Sequence, residues 1–535
     1  MVRRAILVSL ALLLAGCTKG EGRAPCPVGQ LCFEAGNGSE PLTLDPGKAQ
    51  LVIESNILYD MLIGLTTFDA AGQTIPGMAT SWTTSPDGLV WTFHLRDASW
   101  SDGVPVTADD FVFGMRRVVE PRTASPYAYL LYVIAGGEAI NAGKAAPSTM
   151  GVRAVDPHTL EIRLTHPAPY LPLLLVHSTG MPVPAHAVKR WGDAWVQPGH
   201  FVSNGPYTLR SWALGDRITL VRNPHFYAAD DVCFDRINYY PTTDAVSAER
   251  RVESGELDMM ILFASNRAPY LRQKIPAYVH VGPVFGTLYL TLNRHVPALA
   301  DPRVRLALSL SIDRDFIANR LLRAGQSPLY NFVPPGMANY AGIAPPAWAA
   351  WSFARRQAEA RRLLTAAGYG PDHPLHLELK YSNTGDSIVA PALQSDWRSI
   401  GADIALAPEE GQILFADLNA RAFDLGIDSW YLDFNDPVTF LQLLTSSAGP
   451  QNHSDYESPR YDALMARSDN ERDVARRAAL LAQAEATAMA DVPVAPIYVA
   501  SARNLVNPDV TGWQENPGDW HLKRYLCRAG AHPHR

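Results

Sequence analysis

Long apolar runs are scarce in this chain. After residue 16 no stretch approaches the ~20 consecutive apolar residues that a membrane-spanning helix needs. Positive charge is in the minority, with 46 Lys and Arg against 53 Asp and Glu and a net charge of −7, which argues against a nucleic-acid partner. Motifs of catalysis are missing as well. There is no His-Glu-x-x-His, no Gly-x-Ser-x-Gly, no Ser-x-x-Lys, and no Gly-Lys followed by Ser or Thr. A spatial triad leaves no such trace, so a peptide-processing hydrolase stays open as an alternative, but nothing positive supports it and no catalytic residue is assigned. Cysteine is rare and never spaced Cys-x-x-Cys, which removes the usual zinc pattern. His373 and His376, or His532 and His534 in the polar tail, could hold a metal; no metal site or cofactor is assigned to them. Fixed-period repeats and low-complexity tracts are absent.

What remains is ample material for a large folded chain. At 535 residues and 47% hydrophobic, it has the length of two to four domains of ~100–200 residues each. The 42 prolines and 38 glycines imply many turns. Arg3 and Arg4 precede a short apolar run from Ala5 to Ala15, which reads as a removable leader. It ends Leu14-Ala15-Gly16-Cys17 and resembles a bacterial lipoprotein box, cleaved before a Cys that then carries lipid. Cys17 would tether the mature chain to a membrane surface without spanning it. Thr18 follows, where an Asp would point to inner-membrane retention. Residues 17–39 are rich in Gly, Pro and polar side chains and read as the tether, with the fold starting near Glu40. The remaining cysteines, Cys26, Cys32, Cys233 and Cys527, permit three disulfide pairings. Cys26 and Cys32 are near enough to close a small loop, which would leave Cys233 for Cys527.

One stretch organises the rest. Phe423, Leu425 and Ile427 alternate with Asp424, Gly426 and Asp428, as in a strand. Trp430, Tyr431 and Phe434 then surround Asp433 just before Asn435-Asp436-Pro437 turns the chain. A carboxylate among aromatic rings is costly to bury alone and wants a cation or several donors. Spacing alone favours the plainer reading, in which Asp433 caps the turn.

Elsewhere Ser85-Pro-Asp-Gly88 is the turn of a hairpin, and Thr107 caps a helix from Ala108 to about Val119 with Asp110 as its capping-box partner. Trp82, Trp91, Phe93 and Trp100 read as core. Asp244 to Gly255 is a helix, and Asp301-Pro302 opens a long one that takes in Val304–Leu308 and Ile312–Asp315. Arg355–Ala367 and Glu471–Asp491 are further helices. Strands alternate with helices, as in α/β lobes.

Met78-Ala-Thr-Ser-Trp82, Trp91-Thr-Phe-His-Leu-Arg96, Trp100-Ser-Asp-Gly103, Thr123-Ala-Ser-Pro-Tyr127 and the 423–437 segment occur in the order found in one family. The chain resembles the dipeptide- and oligopeptide-binding proteins of ABC importers (family 5 solute-binding proteins), the oligopeptide branch in particular, over nearly all of residues 40–526. The resemblance implies an α/β, two-lobed periplasmic-binding-protein fold with an additional domain, three domains in all, of class II and cluster C type. It divides the chain into domain I (40–62, 187–285 and 500–535 with the tail), domain II (63–186) and domain III (286–499). It also implies a monomer at the periplasmic or outer face of a bacterial membrane. Such a protein closes on an oligopeptide by a hinge motion and delivers it to a membrane permease. A membrane-anchored sensor or chaperone would have the same cleft.

By this resemblance Asp433 holds the α-amino group of the peptide and Trp430 and Tyr431 wall the site. Tyr127 and Tyr289 approach the ligand, Val52 offers main chain, and Gln50 stands on the lip where relatives have Glu. Two cationic positions of the family are lost, falling here on Ile427 and Leu322. A peptide carboxylate therefore has no evident fixed partner in the sequence, with Arg320 and Arg323 the nearest substitutes.

Overall fold

The stretch expected to be a tether already contains the middle of the main sheet. Cys32–Gly36 forms strand β1, buried at all five positions. The tether read over 17–39 and the start near Glu40 are therefore corrected: among the described residues, regular structure begins at Cys32. Composition misled because Gly, Pro and polar residues flank a strand only five residues long. The structure is a computed structural model that describes residues 25–384 and 387–533. Cys17, the leader over residues 1–16 and His534 lie outside the described residues.

The principal strands that follow are β2 (Ala79–Thr84), β3 (Val90–Leu95), β4 (Val152–Asp156), β5 (Thr159–Arg163), β6 (Tyr207–Ala213), β7 (Arg217–Arg222) and β8 (Arg236–Tyr240). After them come β9 (Met259–Met260), β10 (Val279–Leu292), β11 (Leu375–Ser382), β12 (Ala402–Glu409), β13 (Leu425–Tyr431) and β14 (Val494–Val506). Strands β2-β3-β5-β4 make a separate antiparallel sheet, opened by the Ser85–Gly88 hairpin. The others join in the order β12-β11-β13-β10-β14-β9-β1-β8-β7-β6.

Two strands carry this sheet from one lobe to the other. β10 and β14 have 14 and 13 residues, roughly 45 Å of extended chain. Val279–Pro283 pairs with Ser501–Leu505 beside β9 and β1, whereas Thr287–Thr291 pairs with Val494–Val499 beside β13. Between these runs the register shifts, at Pro283/Thr287 and again at Leu288/Tyr289. A bulge bends and twists a strand locally, so the lobes meet where the two connecting strands are irregular. The boundaries read at 285/286 and 499/500 fall inside these strands, at the first shift. A separate core under β11–β13 gathers Leu377, Leu379, Trp397 and Leu425. The larger core runs from Phe33 through Phe93 and Trp100 to Phe434 and Leu481.

Local chemistry follows the sequence at several joints. The Thr107 N–H donates to Asp110 Oδ2 (2.9 Å), closing the capping box of the helix Ala108–Val119. Asp301 accepts the Arg303 N–H at 2.8 Å at the start of the helix Pro302–Leu310. The long helix expected beyond it is interrupted, resuming only at Phe316–Leu322. Ser311 Oγ donates back to the Ala307 and Leu308 carbonyls. Arg314, fully buried, donates to the Leu329 and Pro496 carbonyls. A buried guanidinium must find acceptors, and it divides them between Ser309 in the helix, at 2.8 and 3.1 Å, and these two carbonyls outside it. Disulfides join Cys26 to Cys32 and Cys233 to Cys527.

Candidate ligand-binding site

Strand β13 delivers its last residues to the junction of the lobes. Trp430 and Tyr431 pair with Thr287 and Gly286 of β10, and the Leu432 N–H donates to the Phe285 carbonyl at 2.9 Å. The chain then turns on Asp436, not on Asp433. Asp436 Oδ1 accepts the Val438 N–H (3.0 Å), and Arg477 grips both oxygens at 2.7 and 2.9 Å. The turn already has its cap, which removes the plainer reading of Asp433.

Asp433 is left with weak company. Thr439 Oγ1 donates to its Oδ2 at 3.0 Å and in turn accepts the Asp433 N–H at 3.2 Å. The Tyr129 hydroxyl reaches the same oxygen only at 3.5 Å, and Trp430 Nε1 points at Thr439 Oγ1 at 3.5 Å. No cation among the described residues pairs with it. Burial raises its carboxyl to about 7, with the Thr439 and Tyr129 hydroxyls only partly opposing. Burial, and then the charge of Asp433, push the phenols of Tyr59, Tyr127 and Tyr129 above their ordinary range. Tyr129 is 5.9 Å from the Tyr127 ring, which lies 4.8 Å from His177. Burial holds His177 down at about 4, so it brings no positive charge near neutral pH. This wall is aromatic, neutral and built around one carboxylate. Its outstanding need is a cation.

Other expected residues are placed differently. Tyr431 neighbours Trp430 along an extended strand, so the two leave on opposite faces. The Tyr431 ring lies over Gly286, where even a Cβ would meet it at 2.6 Å. Tyr289 is buried, and its hydroxyl donates to Asp428 Oδ2 (2.6 Å), which also holds His453 at 2.8 Å. Helix α1 (Val52–Met61) starts with exposed Val52, and exposed Gln50 precedes it. Buried Glu54 shapes that lip, accepting the N–H groups of Leu42, Thr43, Gln50 and Leu51 at 2.8–3.2 Å. Leu322 is buried in the core under β11–β13, while Arg320 and Arg323 are exposed.

Sequence reasoning missed Tyr59, Tyr129, Thr439 and His177. Tyr129 had a signal, lying two residues beyond Tyr127 in the same motif. Thr439 had a weaker one, six residues beyond Asp433. Tyr59 and His177 come from distant segments and had none.

Two lobes joined by a pair of irregular strands, with an unmatched carboxylate where they meet, define a two-lobed solute-binding protein. The profile described as bacterial extracellular solute-binding proteins, family 5 Middle, matches residues 73–452. The chain belongs to that family, whose members are binding proteins and not enzymes. It is 41% identical over 488 residues to the periplasmic oligopeptide-binding protein OppA of Escherichia coli (strain K12), covering 89% of this chain and 88% of that one. It is 34% identical over 508 residues to the probable deoxycholate-binding periplasmic protein YgiS of the same organism, covering 93% of each. The structure of the E. coli murein tripeptide binding protein MppA superposes with a TM-score of 0.86 at 35% identity, covering 94% of this chain and 99% of that one.

Proposed function

We propose that this protein captures peptides between its lobes and presents them to an ABC import permease. The observation that carries the reading is Asp433, partly buried among tyrosines with no cation of its own. A peptide's α-ammonium supplies that cation, as a charge-assisted hydrogen bond shielded from water. An apolar acid such as deoxycholate offers no ammonium, and its own charge would be repelled there. Tyr129 and Tyr127 from one lobe face Asp433 from the other, so a ligand seated between them contacts both. Binding then favours the closed arrangement by as much as those contacts differ between open and closed states.

The same reading divides the chain as domain I (32–62, 187–285, 500–535), domain II (63–186) and domain III (286–499). β10 and β14 are the hinge strands. Cys17 carries the lipid that holds the protein at the outer face of the membrane, and the working unit is a monomer. Native mass spectrometry of the protein purified from its own cells tests the ligand class. Co-purified peptides with free amines are expected. A bile acid, or a ligand lacking any amine, would overturn the reading.

A further inference from the structure

The segment 513–521 lies across β10 and β14 just before their pairing becomes irregular. His280 of β10 and Asn504 of β14 are cross-strand partners, so their side chains share a face of the ladder. Both are taken by that segment. His280 Nδ1 stands 2.8 Å from Glu515 Oε1, which also accepts the Trp513 indole N–H at 3.1 Å. Asn504 Nδ2 donates to Asp519 Oδ1 at 2.7 Å, and the His521 ring meets the same oxygen at 2.8 Å. Trp513 stacks on His521 with ring centroids 3.5 Å apart and lies 5.5 Å from the His280 ring. Two carboxylates of one short segment thus grip a single rung from both strands.

The segment then reaches the irregular stretch itself. Residues 284–286 of β10 face only Ala500 of β14, between the pairs Pro283–Ser501 and Thr287–Val499. Phe285 is in the middle, and its backbone groups must find partners outside that ladder. Its N–H donates to the Pro517 carbonyl at 2.8 Å, and its carbonyl accepts the Leu432 N–H at 2.9 Å. Leu432 directly precedes Asp433. One residue therefore has its N–H fixed to the C-terminal segment and its carbonyl fixed to the turn that carries Asp433. The packing is close at the near end as well, where a Cβ on Gly282 would come within 3.2 Å of Glu515 Oε2. The segment is itself braced. The Asn516 amide donates to the Trp520 carbonyl at 2.9 Å, its Oδ1 accepts the Trp520 N–H at 3.0 Å, and Trp520 stacks on Phe68 at 3.6 Å.

A strand bends where its ladder is interrupted, and bending β10 there moves the partners of Phe285 relative to one another. Resting on the hinge reading above, we infer that residues 513–521 are a strap over the hinge, clipped by Glu515 to His280, which limits how far the lobes open. Glu515 is a positioning residue, acting on Leu432 and Asp433 through Pro517 and Phe285. Burial would raise its carboxyl, but the bonds from His280 and Trp513 hold it below its ordinary range. The clip is therefore charge-assisted near neutral pH.

Hydrogen exchange and small-angle scattering on the unliganded full chain test the inference. Glu515→Ala is expected to speed exchange of the Phe285 N–H by about tenfold or more, because local opening governs that rate. The Phe93 amide, paired within the separate antiparallel sheet, is expected to keep its wild-type rate. The radius of gyration is expected to increase. Unchanged exchange at Phe285 would overturn the strap, and so would faster exchange at an unchanged radius of gyration. Equal acceleration at Phe285 and Phe93 would reveal a general loss of stability and overturn it too. His280→Ala removes the same clip from the strand side and decides the matter by the same readouts if Glu515→Ala does not fold. The hinge reading fails separately: wild type that binds Ala-Ala-Ala in calorimetry yet keeps its unliganded radius of gyration would overturn it, whatever Glu515→Ala does.

Discussion

Asp433→Asn removes the charge while keeping the size of the side chain, and its consequences can be worked through. A hydrogen bond to an ionised group contributes about 1.5–3 kcal/mol, so the variant should bind a free-amine peptide roughly ten- to a hundredfold more weakly. N-acetylating the peptide should cost wild type a similar factor and the variant little more. The pH dependence is a sharper test. In the unliganded protein the Asp433 carboxyl sits at about 7 because burial disfavours its charge. A bound ammonium favours the charge and lowers that value, so binding releases a proton whenever Asp433 begins protonated. Affinity should then fall as pH drops below 7, by up to ~10-fold per unit, until the pKa of the bound state is reached. Just above pH 7 the dependence should flatten, and it should reverse as the peptide's own amine deprotonates near pH ~8. The folded carboxyl is also raised above its unfolded range near ~3.9. The unliganded fold is therefore favoured at low pH and loses that advantage as pH rises through 7, and Asp433→Asn should unfold no earlier than wild type at pH 8. The assay is calorimetric titration from pH 5 to 8 with paired free and N-acetyl peptides on both proteins. Equal affinity for the paired peptides, or identical pH profiles for wild type and variant, would refute the role assigned to Asp433.

Arg477 and Asp436 form a buried bidentate pair that fixes the turn after the site, with side chains 3% and 1% exposed. Arg477→Ala leaves Asp436 buried and unpaired, and thermal unfolding should report a loss of about 3–5 kcal/mol. Tyr170 of the first lobe stacks on Phe434 at 5.5 Å and lies 4.7 Å from the Arg477 guanidinium of the other. Tyr170→Ala should weaken peptide binding and shift solution scattering toward a larger radius of gyration. Removing the Cys233–Cys527 disulfide, which spans 294 residues, should cost about 2–5 kcal/mol, measured by chemical denaturation of the double Ser variant. Cys17→Ser should release the protein from the membrane fraction or leave its leader uncleaved, and N-terminal mass analysis would reveal any acyl chain.

Much of this protein was legible in its sequence because the signals are local. The Ser85–Gly88 turn, the Thr107–Asp110 cap and the alternation from Phe423 onward depend on residues a few positions apart, and backbone geometry reads them directly. Family motifs added Trp430 and Asp433, and cysteine spacing left Cys233 for Cys527 as one of three pairings. Composition misjudged Cys32–Gly36, because a strand whose partners begin two hundred residues later shows nothing in its own neighbourhood. Periodicity ran the Asp301 helix too far for a similar reason: besides Ser309 in the helix, Arg314 finds acceptors on Leu329 and Pro496, and a helical pattern cannot register those two. The character of the site was likewise decided only in three dimensions. A sequence shows that Asp433 is acidic, but the surroundings that raise its carboxyl come from Tyr59, Tyr127, Tyr129 and Thr439 on separate segments. Desolvation depends on everything packed around a charge, and packing brings together residues that chain order keeps apart.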